Sequence, residues 1–415
     1  TALPHLKDTV SKTYTHRYLN DGTPVVAETC FGNQARSVLV GTTGRGGAAV
    51  YGLDVTDLST PSTQNILWEF NGTHDPDLGI TVSKASISKS YDGKPLAIVS
   101  GGYNNRNNDG YIFILDISKP VTSSWVQGQN YWKVKLGNAG VGEVFVYDEN
   151  HDGIPEKLYA GDWDGNVWRV EYNNGIWTSS MLYQSPSVTP ITGAPFAQKI
   201  GGKLYVVAGS GQYLNAQGIE NVQNYAYGFF DDGSTIRNND LLNQNIDQDV
   251  TQGTALGNIQ RRLWSITKNQ LETRHKGWRL RLLPNQAIVA SSSIRANKVA
   301  EFIAIRRDSS SDSCSTNGIT SLISVDVKNG GEYAQAIFDT NRDGKHDNLD
   351  KTGGMLDINN LTSPYGTTSN IKLPNGTVLA MTGLAGDTGK ATETRNPLLD
   401  TNGYRIRRLS WREIF

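Results

Sequence analysis

Short apolar runs with a period of two recur along the chain, each closed by glycine and answered by a second run that ends near aspartate. Ser37-Val38-Leu39-Val40-Gly41 is followed by Ala49-Val50-Tyr51-Gly52-Leu53-Asp54-Val55, and Leu96-Ala97-Ile98-Val99-Ser100 by Gly110-Tyr111-Ile112-Phe113-Ile114-Leu115-Asp116-Ile117. Leu158-Tyr159-Ala160-Gly161-Asp162 leads through Asp164-Gly165-Asn166 to Val167-Trp168-Arg169-Val170-Glu171, and Gly318 to Asp326 repeats the phrase late in the chain. Alternation of this kind predicts strands, and the Gly, Asp and Asn between them predict tight turns. Early repeats lie roughly 45 to 65 residues apart, room for a four-stranded antiparallel unit with decorated loops. Such units arranged radially leave only short, protected edges. The expected architecture is therefore all-β: a modified beta-propeller of about six to seven blades, forming one domain over residues 1–415. An immunoglobulin-like array is the competing fold, and it fits less well because the phrase recurs without Pro- or Ser-rich linkers.

Two stretches interrupt the pattern. Residues 213–257 are rich in Asn, Gln and Asp and are expected to form a polar insertion that leaves the sheet. After it, Leu256 to Leu271 carries Ile259, Leu263 and Ile266 at a spacing that suits a short helix. Residues 339–376 have the turn-rich composition of a loop insertion.

The chemistry concentrates in two acidic stretches of one design. Asp148-Glu149-Asn150-His151-Asp152-Gly153-Ile154-Pro155-Glu156 and Asp339-Thr340-Asn341-Arg342-Asp343-Gly344-Lys345-His346-Asp347 both read D-x-N-x-D-G-x-x-[DE]. Oxygen-bearing side chains at positions 1, 3 and 5 converge only if the chain curls tightly, and glycine at position 6 permits that curl. Position 7 offers its carbonyl, from Ile154 or Lys345, and a carboxylate closes the cage at position 9, Glu156 or Asp347. Hard oxygen ligands in a flexible, mostly carboxylate cage suit calcium better than magnesium. Neither loop has the position-12 glutamate of a helix-loop-helix hand; Tyr159 and Asp350 stand there. Both are read as nine-residue cages in sheet connections, with Ca2+ favoured in the first and plausible in the second. The plainer alternative is a pair of turns in which Asn and Asp only bond to nearby backbone.

Charge narrows the partners. Lys and Arg number 39 against 40 Asp and Glu, so no broad nucleic-acid face is expected. No run of about twenty apolar residues is present, so no direct membrane span is expected in the chain. The chain starts at Thr1 with neither methionine nor a secretory segment, as a processed piece would. Cys30 and Cys314 are compatible with one disulfide but too far apart in sequence to establish it.

Enzyme signals are weak, and no catalytic residues are assigned. His16, His74 and His275 lack the spacing of a zinc motif and are read as surface or polar-packing residues. Quinone-dependent dehydrogenases also combine propellers with calcium, but many place adjacent cysteines at the cofactor pocket, and Cys30 and Cys314 are not adjacent. Asp162 to Asn166 reads as a hairpin turn. Trp125, Trp132, Trp163, Trp168 and Trp177 suit sheet packing better than a glycan- or peptide-binding surface, which is the alternative function for such a propeller.

Further phrases follow one another along the chain: Tyr14-Thr15-His16-Arg17-Tyr18, Asp21 to Val26, Val38 to Gly41, Tyr51 to Asp57, Asp75-Pro76-Asp77-Leu78-Gly79, Ser100 to Tyr103, Tyr159 to Asp162, Lys276-Gly277-Trp278 and Arg408 to Glu413. Taken in order, they resemble the calcium-binding carboxy-terminal domain of the PilY/PilC family of type IV pilus-associated tip proteins. The resemblance implies a modified propeller with calcium in the first cage, held by Asp148, Asn150, Asp152, the Ile154 carbonyl and Glu156. Glutamate there replaces the more familiar aspartate. It implies a role in pilus biogenesis or retraction control, twitching motility and host-cell adherence. The implied partners are minor pilins or the assembly machinery and a host-cell surface ligand. The implied location is the bacterial surface, at the pilus tip or outer membrane, reached through the periplasm. The family's usual first repeat phrase is missing, so part of the first blade is expected to be absent.

Overall fold

Val38 and Val40 sit two apart on one strand and are both wholly buried, as are Val50 on the next strand and Phe70 on the one after. Successive side chains of a strand face opposite sides, so this alternation gives the sheet one apolar face. The computed structural model describes residues 10, 12, 15–32, 34–212, 222–251, 262–307, 318–338, 340, 348–358, 367–372, 378–383 and 394–395. Among them the regular structure is strand, with a few single turns of 3-10 helix.

The first sheet runs β1 (Val25–Phe31), β2 (Gln34–Thr42), β3 (Ala49–Asp54), β4 (Ile66–Asn71) in sequence order. The second is β5 (Ser86–Lys89), β6 (Pro95–Ser100), β7 (Tyr111–Asp116), β8 (Tyr131–Lys135). The third is β9 (Val141–Tyr147), β10 (Lys157–Asp162), β11 (Val167–Asn173), β12 (Ile176–Gln184). Each is an antiparallel meander, the form of a propeller blade. Apolar clusters lie between successive sheets: Val40, Phe70, Val99 and Phe113 join the first to the second, and Ile98, Ile114, Val144 and Leu158 join the second to the third. Tyr159, Val167, Val206 and Phe229 join the third to the next strands.

The pattern then changes. β13 (Phe196–Ile200), β14 (Lys203–Gly209), β15 (Tyr225–Asp231) and β19 (Gly277–Arg281) make a fourth antiparallel unit. The outer strand β19 then pairs in parallel with β17 (Leu241–Asp249), Leu241 opposite Gly277. Through β17 the sheet continues into β18 (Leu263–Ile266), β24 (Met355–Ile358), β23 (Gly318–Asp326) and β22 (Val299–Arg307), with β20 (Gln286–Ile288) and β21 (Ser293–Arg295) both on β22. The short β16 (Ile236–Arg237) crosses back to pair with β12. β25 (Thr367–Lys372), β26 (Val378–Gly383) and β27 (Thr394–Arg395) form a last three-stranded sheet. The fold is thus a modified, incompletely closed propeller, with two blade-sized units fused into one curled sheet of eleven strands.

One close approach recurs. Gly52 on β3 lies opposite Trp68 on β4, and Gly228 on β15 lies opposite Trp278 on β19. A Cβ at either glycine would come within 2.4 or 2.3 Å of the indole, so each glycine makes the space in which its cross-strand ring lies flat.

Three sequence expectations are corrected. The described part of 213–257, residues 222–251, is not an excursion from the sheet: it contains β15, β16 and β17, and Tyr227 and Phe229 are core residues. The polar residues misled because they occupy strand positions. Gln244 is fully buried on β17, its amide donating to the carbonyls of Asn269 (3.0 Å) and Asn329 (2.9 Å). Leu263 and Ile266 belong to strand β18, not to a helix, and Ile259 lies outside the described residues. Within 339–376, Met355–Ile358 is likewise a strand of the fused sheet.

Candidate metal centre

The first acidic stretch is the connection of a hairpin. Tyr147, the last residue of β9, pairs with Lys157, the first of β10, and residues 148–156 form the nine-residue loop between them. The curl is visible in the backbone. His151 and Gly153 have φ of +60° and +89°, and Gly153 N donates to Asp148 Oδ2 across the loop at 2.8 Å. Asn150 Oδ1 accepts from Asp152 N (3.0 Å), and Asp152 Oδ1 from Ile154 N (2.8 Å), so each polar side chain shapes the turn that follows it. Glu156 Oε2 closes the loop by accepting from Glu149 N at 2.6 Å.

One oxygen is left over. Asp148 Oδ1 is buried and has no hydrogen-bond donor. The carbonyl of Ile154 also accepts no hydrogen bond from any described residue. The carboxylates are not yet gathered, however: among the described residues no group of three or more His, Cys, Asp or Glu side chains is close enough to hold a metal. The structure brings Asp148, Asn150, Asp152, Ile154 and Glu156 onto one curled loop, with Asp152 and Glu156 still engaged by backbone N–H groups and Asn150.

The loop is anchored from outside the hairpin. The Gly153 carbonyl accepts from Lys89 N and from Ser88 Oγ, both at 2.8 Å, which fastens the tip to β5 of the preceding blade. Lys199 forms an ion pair with Glu149 and holds its carboxyl below the ordinary range. Burial, with Glu149 beside it, pushes the Tyr147 phenol up. Sequence reasoning missed Ser88, Lys89 and Lys199, since each reaches the loop from a distant strand and carries no local motif.

The second acidic stretch is not seen in the same way. Asp339, Asn341, Asp343, Lys345 and Asp347 lie outside the described residues. Beside it, buried Asp350 accepts from Thr340 N at 2.7 Å and from Thr340 Oγ1 at 3.1 Å.

The other marked residues divide by role. His74 and His275 each accept a backbone N–H three residues earlier in a turn, at 3.1 and 2.9 Å, and His16 packs edge-on against Tyr18. Asp162 to Asn166 is the hairpin turn between β10 and β11. Trp168 donates to Asp162 (2.7 Å), Trp125 donates to the Glu69 carbonyl (2.8 Å), and Trp163 stacks on Tyr103. Trp132 and Trp177 pack against the core between the second and third blades and also line a cavity beside the loop. The Asp75-Pro76-Asp77 phrase gains a partner that sequence did not suggest: Lys133 on β8 bridges Asp75 (2.9 Å) and Asp77 (2.6 Å). Tyr131 donates to Asp75 at 3.1 Å, and burial first, then Asp75, pushes its phenol up to about 12. Cys30 is exposed on β1, and Cys314 lies outside the described residues.

The family model described as the PilY1 beta-propeller domain matches residues 3–181. A type IV pilus biogenesis factor PilY1 homolog of Xylella fastidiosa is 28% identical over 431 residues, covering 100% of this chain and 33% of the relative. Type IV pilus biogenesis factor PilY1 of Pseudomonas aeruginosa (strain UCBPP-PA14) is 33% identical over 156 residues, 38% of this chain and 13% of the relative. The chain thus spans a third or less of the length of these relatives. The crystal structure of the Pseudomonas aeruginosa PilY1 C-terminal domain superposes with a TM-score of 0.73 at 21% identity, over 90% of this chain and 83% of that one, and shows the same fold. The family match over residues 3–181 and the alignment along the whole chain make this protein similar to the PilY/PilC family of type IV pilus-associated proteins, and the superposition shows that it shares the fold.

Proposed function

We propose that this chain is a calcium-binding module of a type IV pilus-associated surface protein, working through minor pilins or the assembly machinery in pilus biogenesis or retraction control, twitching motility and host-cell adherence. The observation that carries the calcium reading is the buried, unpartnered Asp148 Oδ1 within an otherwise hydrogen-bonded D-x-N-x-D-G loop. A buried anionic oxygen with no donor is expensive unless a cation meets it. Calcium supplies that charge, and hard oxygens are its natural ligands. Asp148 and the Ile154 carbonyl offer free acceptor sites, and Asp152 and Glu156 would complete the set by giving up their bonds from Asn150 Nδ2 and Glu149 N. Because the Gly153 carbonyl is bonded to β5, ordering the loop also fixes the seam between the second and third blades.

The relatives named above are described as type IV pilus biogenesis factors, and this supports the pilus assignment. The second stretch, Asp339 to Asp347, is proposed as a further calcium site on its spacing alone. Metal content measured after dialysis tests the sites, and pull-down of minor pilins with calcium or chelator tests the partners. One ion fewer in Asp148→Ala than in the parent chain is the expected result for the first loop. A chain that binds no calcium, or captures no pilus component in either state, overturns the corresponding half.

A further inference from the structure

Beside the acidic hairpin, at the junction of the second and third blades, lies a cavity of about 240 Å³ walled by Tyr91, Trp132, Tyr172 and Trp177 and bounded on one side by Ile154 and Pro155. The rings come from different elements. Trp132 is on β8 and Tyr91 on the β5–β6 turn of one blade, whereas Tyr172 and Trp177 flank the β11–β12 turn of the next. Tyr91 stacks on Tyr172 with centroids 5.2 Å apart and planes at 18°, and Tyr172 meets Trp177 at 4.9 Å. Tyr91 remains 61% exposed, so this stack is not a core contact.

These rings differ in one chemical respect from Trp125 and Trp168, and share it with the core residue Trp68, whose buried indole N–H has no partner. Trp125 and Trp168 each spend the indole N–H on a protein acceptor. Among the described residues, none forms a hydrogen bond with the indole N–H of Trp132 or Trp177, or with the phenol of Tyr91 or Tyr172. On the rim, Asp92 and Lys94 form an exposed ion pair at 3.2 Å, which adds an acceptor and a donor.

We propose that this cavity is a saccharide-binding site that takes one pyranose ring. Its size admits a single ring rather than a drug-sized ligand. Aromatic faces cover the apolar C–H face of a sugar, and hydroxyls around the ring edge supply partners for the indole, phenol, carboxylate and ammonium groups. An apolar peptide side chain in the same space would cover those donors without pairing them. The site stands on the cavity alone and does not require calcium in the hairpin.

Saturation-transfer NMR on the whole chain tests it, with the methyl glycosides of glucose, galactose, mannose and N-acetylglucosamine as probes and a capped peptide carrying tryptophan and leucine as the competing arm. Transfer to the ring protons of at least one glycoside is expected. Tyr91→Ala and Trp177→Ala should each weaken that glycoside by about two- to tenfold, the loss of one stacking contact. Val121→Ala, at an exposed position outside the cavity, should leave binding unchanged. Near-UV circular dichroism confirms that each variant is folded, and Tyr91, being mostly exposed, can be truncated without loss of core. No transfer to any of the four glycosides, undiminished transfer in both folded variants, or binding of the peptide alone would overturn the proposal.

Discussion

Asp148 and Asp162 are both aspartates at hairpin connections of the third blade, yet their surroundings ask different things of them. Asp148 uses Oδ2 to hold Gly153 N and leaves Oδ1 buried without a donor. Asp148→Asn keeps a carbonyl oxygen for Gly153 while removing the uncompensated charge. In chelator its stability should stay within about 1 kcal/mol of the parent, but the calcium-dependent gain, about 2.7 kcal/mol at a hundredfold excess over Kd, should vanish. Thermal melts of both proteins in calcium and in chelator check this; an undiminished calcium response in the variant would remove Asp148 from the ligand set. Asp162 instead has its needs met from within the protein, accepting from Trp168 Nε1, Asn166 N and Asn166 Nδ2 at 2.7 to 2.9 Å. Burial raises its pKa above the ordinary value of 3.8 despite those bonds. The folded state therefore binds this proton more tightly than the unfolded chain. The resulting stability is complete below the unfolded pKa and is lost as pH rises through the raised folded one. Urea midpoints of the parent and Asp162→Asn across the acidic range should show the parent's relative advantage shrinking with rising pH, and a parallel pair of curves would contradict the shift.

At the scale of elements, the acidic hairpin was legible because its information is local. Spacing and glycine define the curl, and Lys157 to Gly161 announces the strand that follows; the register of β9 with β10 then leaves nine residues to turn. The anchor of that hairpin was not legible, since Ser88 and Lys89 belong to the preceding blade. The same holds for the polar link between the third blade and the next. Arg169 on β11 forms a buried ion pair with Asp231 at the end of β15, donates to the Gly233 carbonyl at 2.9 Å, and shares Asp231 with the Tyr159 hydroxyl at 2.6 Å. Nothing in either segment points to the other. Removing one partner leaves the other charge buried and unpaired, so Asp231→Leu should cost about 3–5 kcal/mol. Replacing both, as Arg169→Met with Asp231→Leu, should recover much of that loss, because a packed apolar pair avoids the desolvation. Denaturant midpoints of the two single variants and the double variant complete the cycle, and additive losses would mean that the two residues are not coupled.

Over the whole molecule, repetition was the readable quantity. Apolar runs at blade spacing predicted the radial sheets, and the clusters between successive blades show why the spacing holds: each strand pair has apolar residues for both neighbours. The parallel pairing of β17 with β19 was hidden, because Leu241 and Gly277 meet across an intervening strand, β18, and a polar tract that reads as a loop. That distribution of apolar packing also sets how much a bound ion can matter. The hairpin lies at one seam, whereas the core runs through every described interface between sheets and through the fused sheet. Calcium removal should therefore loosen a seam without dismantling the propeller. A stabilisation of about 1 kcal/mol raises Tm by about 2–4 °C in domains of 150–250 residues and by less in larger ones. Calcium at about a hundred times Kd should then raise Tm by less than about 10 °C. Far-UV circular dichroism should keep its β signature in chelator, while amide exchange should speed up at Lys89 and Gly153, the two ends of the seam. Loss of the whole β signal on chelation would make the ion a condition of folding, whereas unchanged exchange at both residues would separate the ion from the seam.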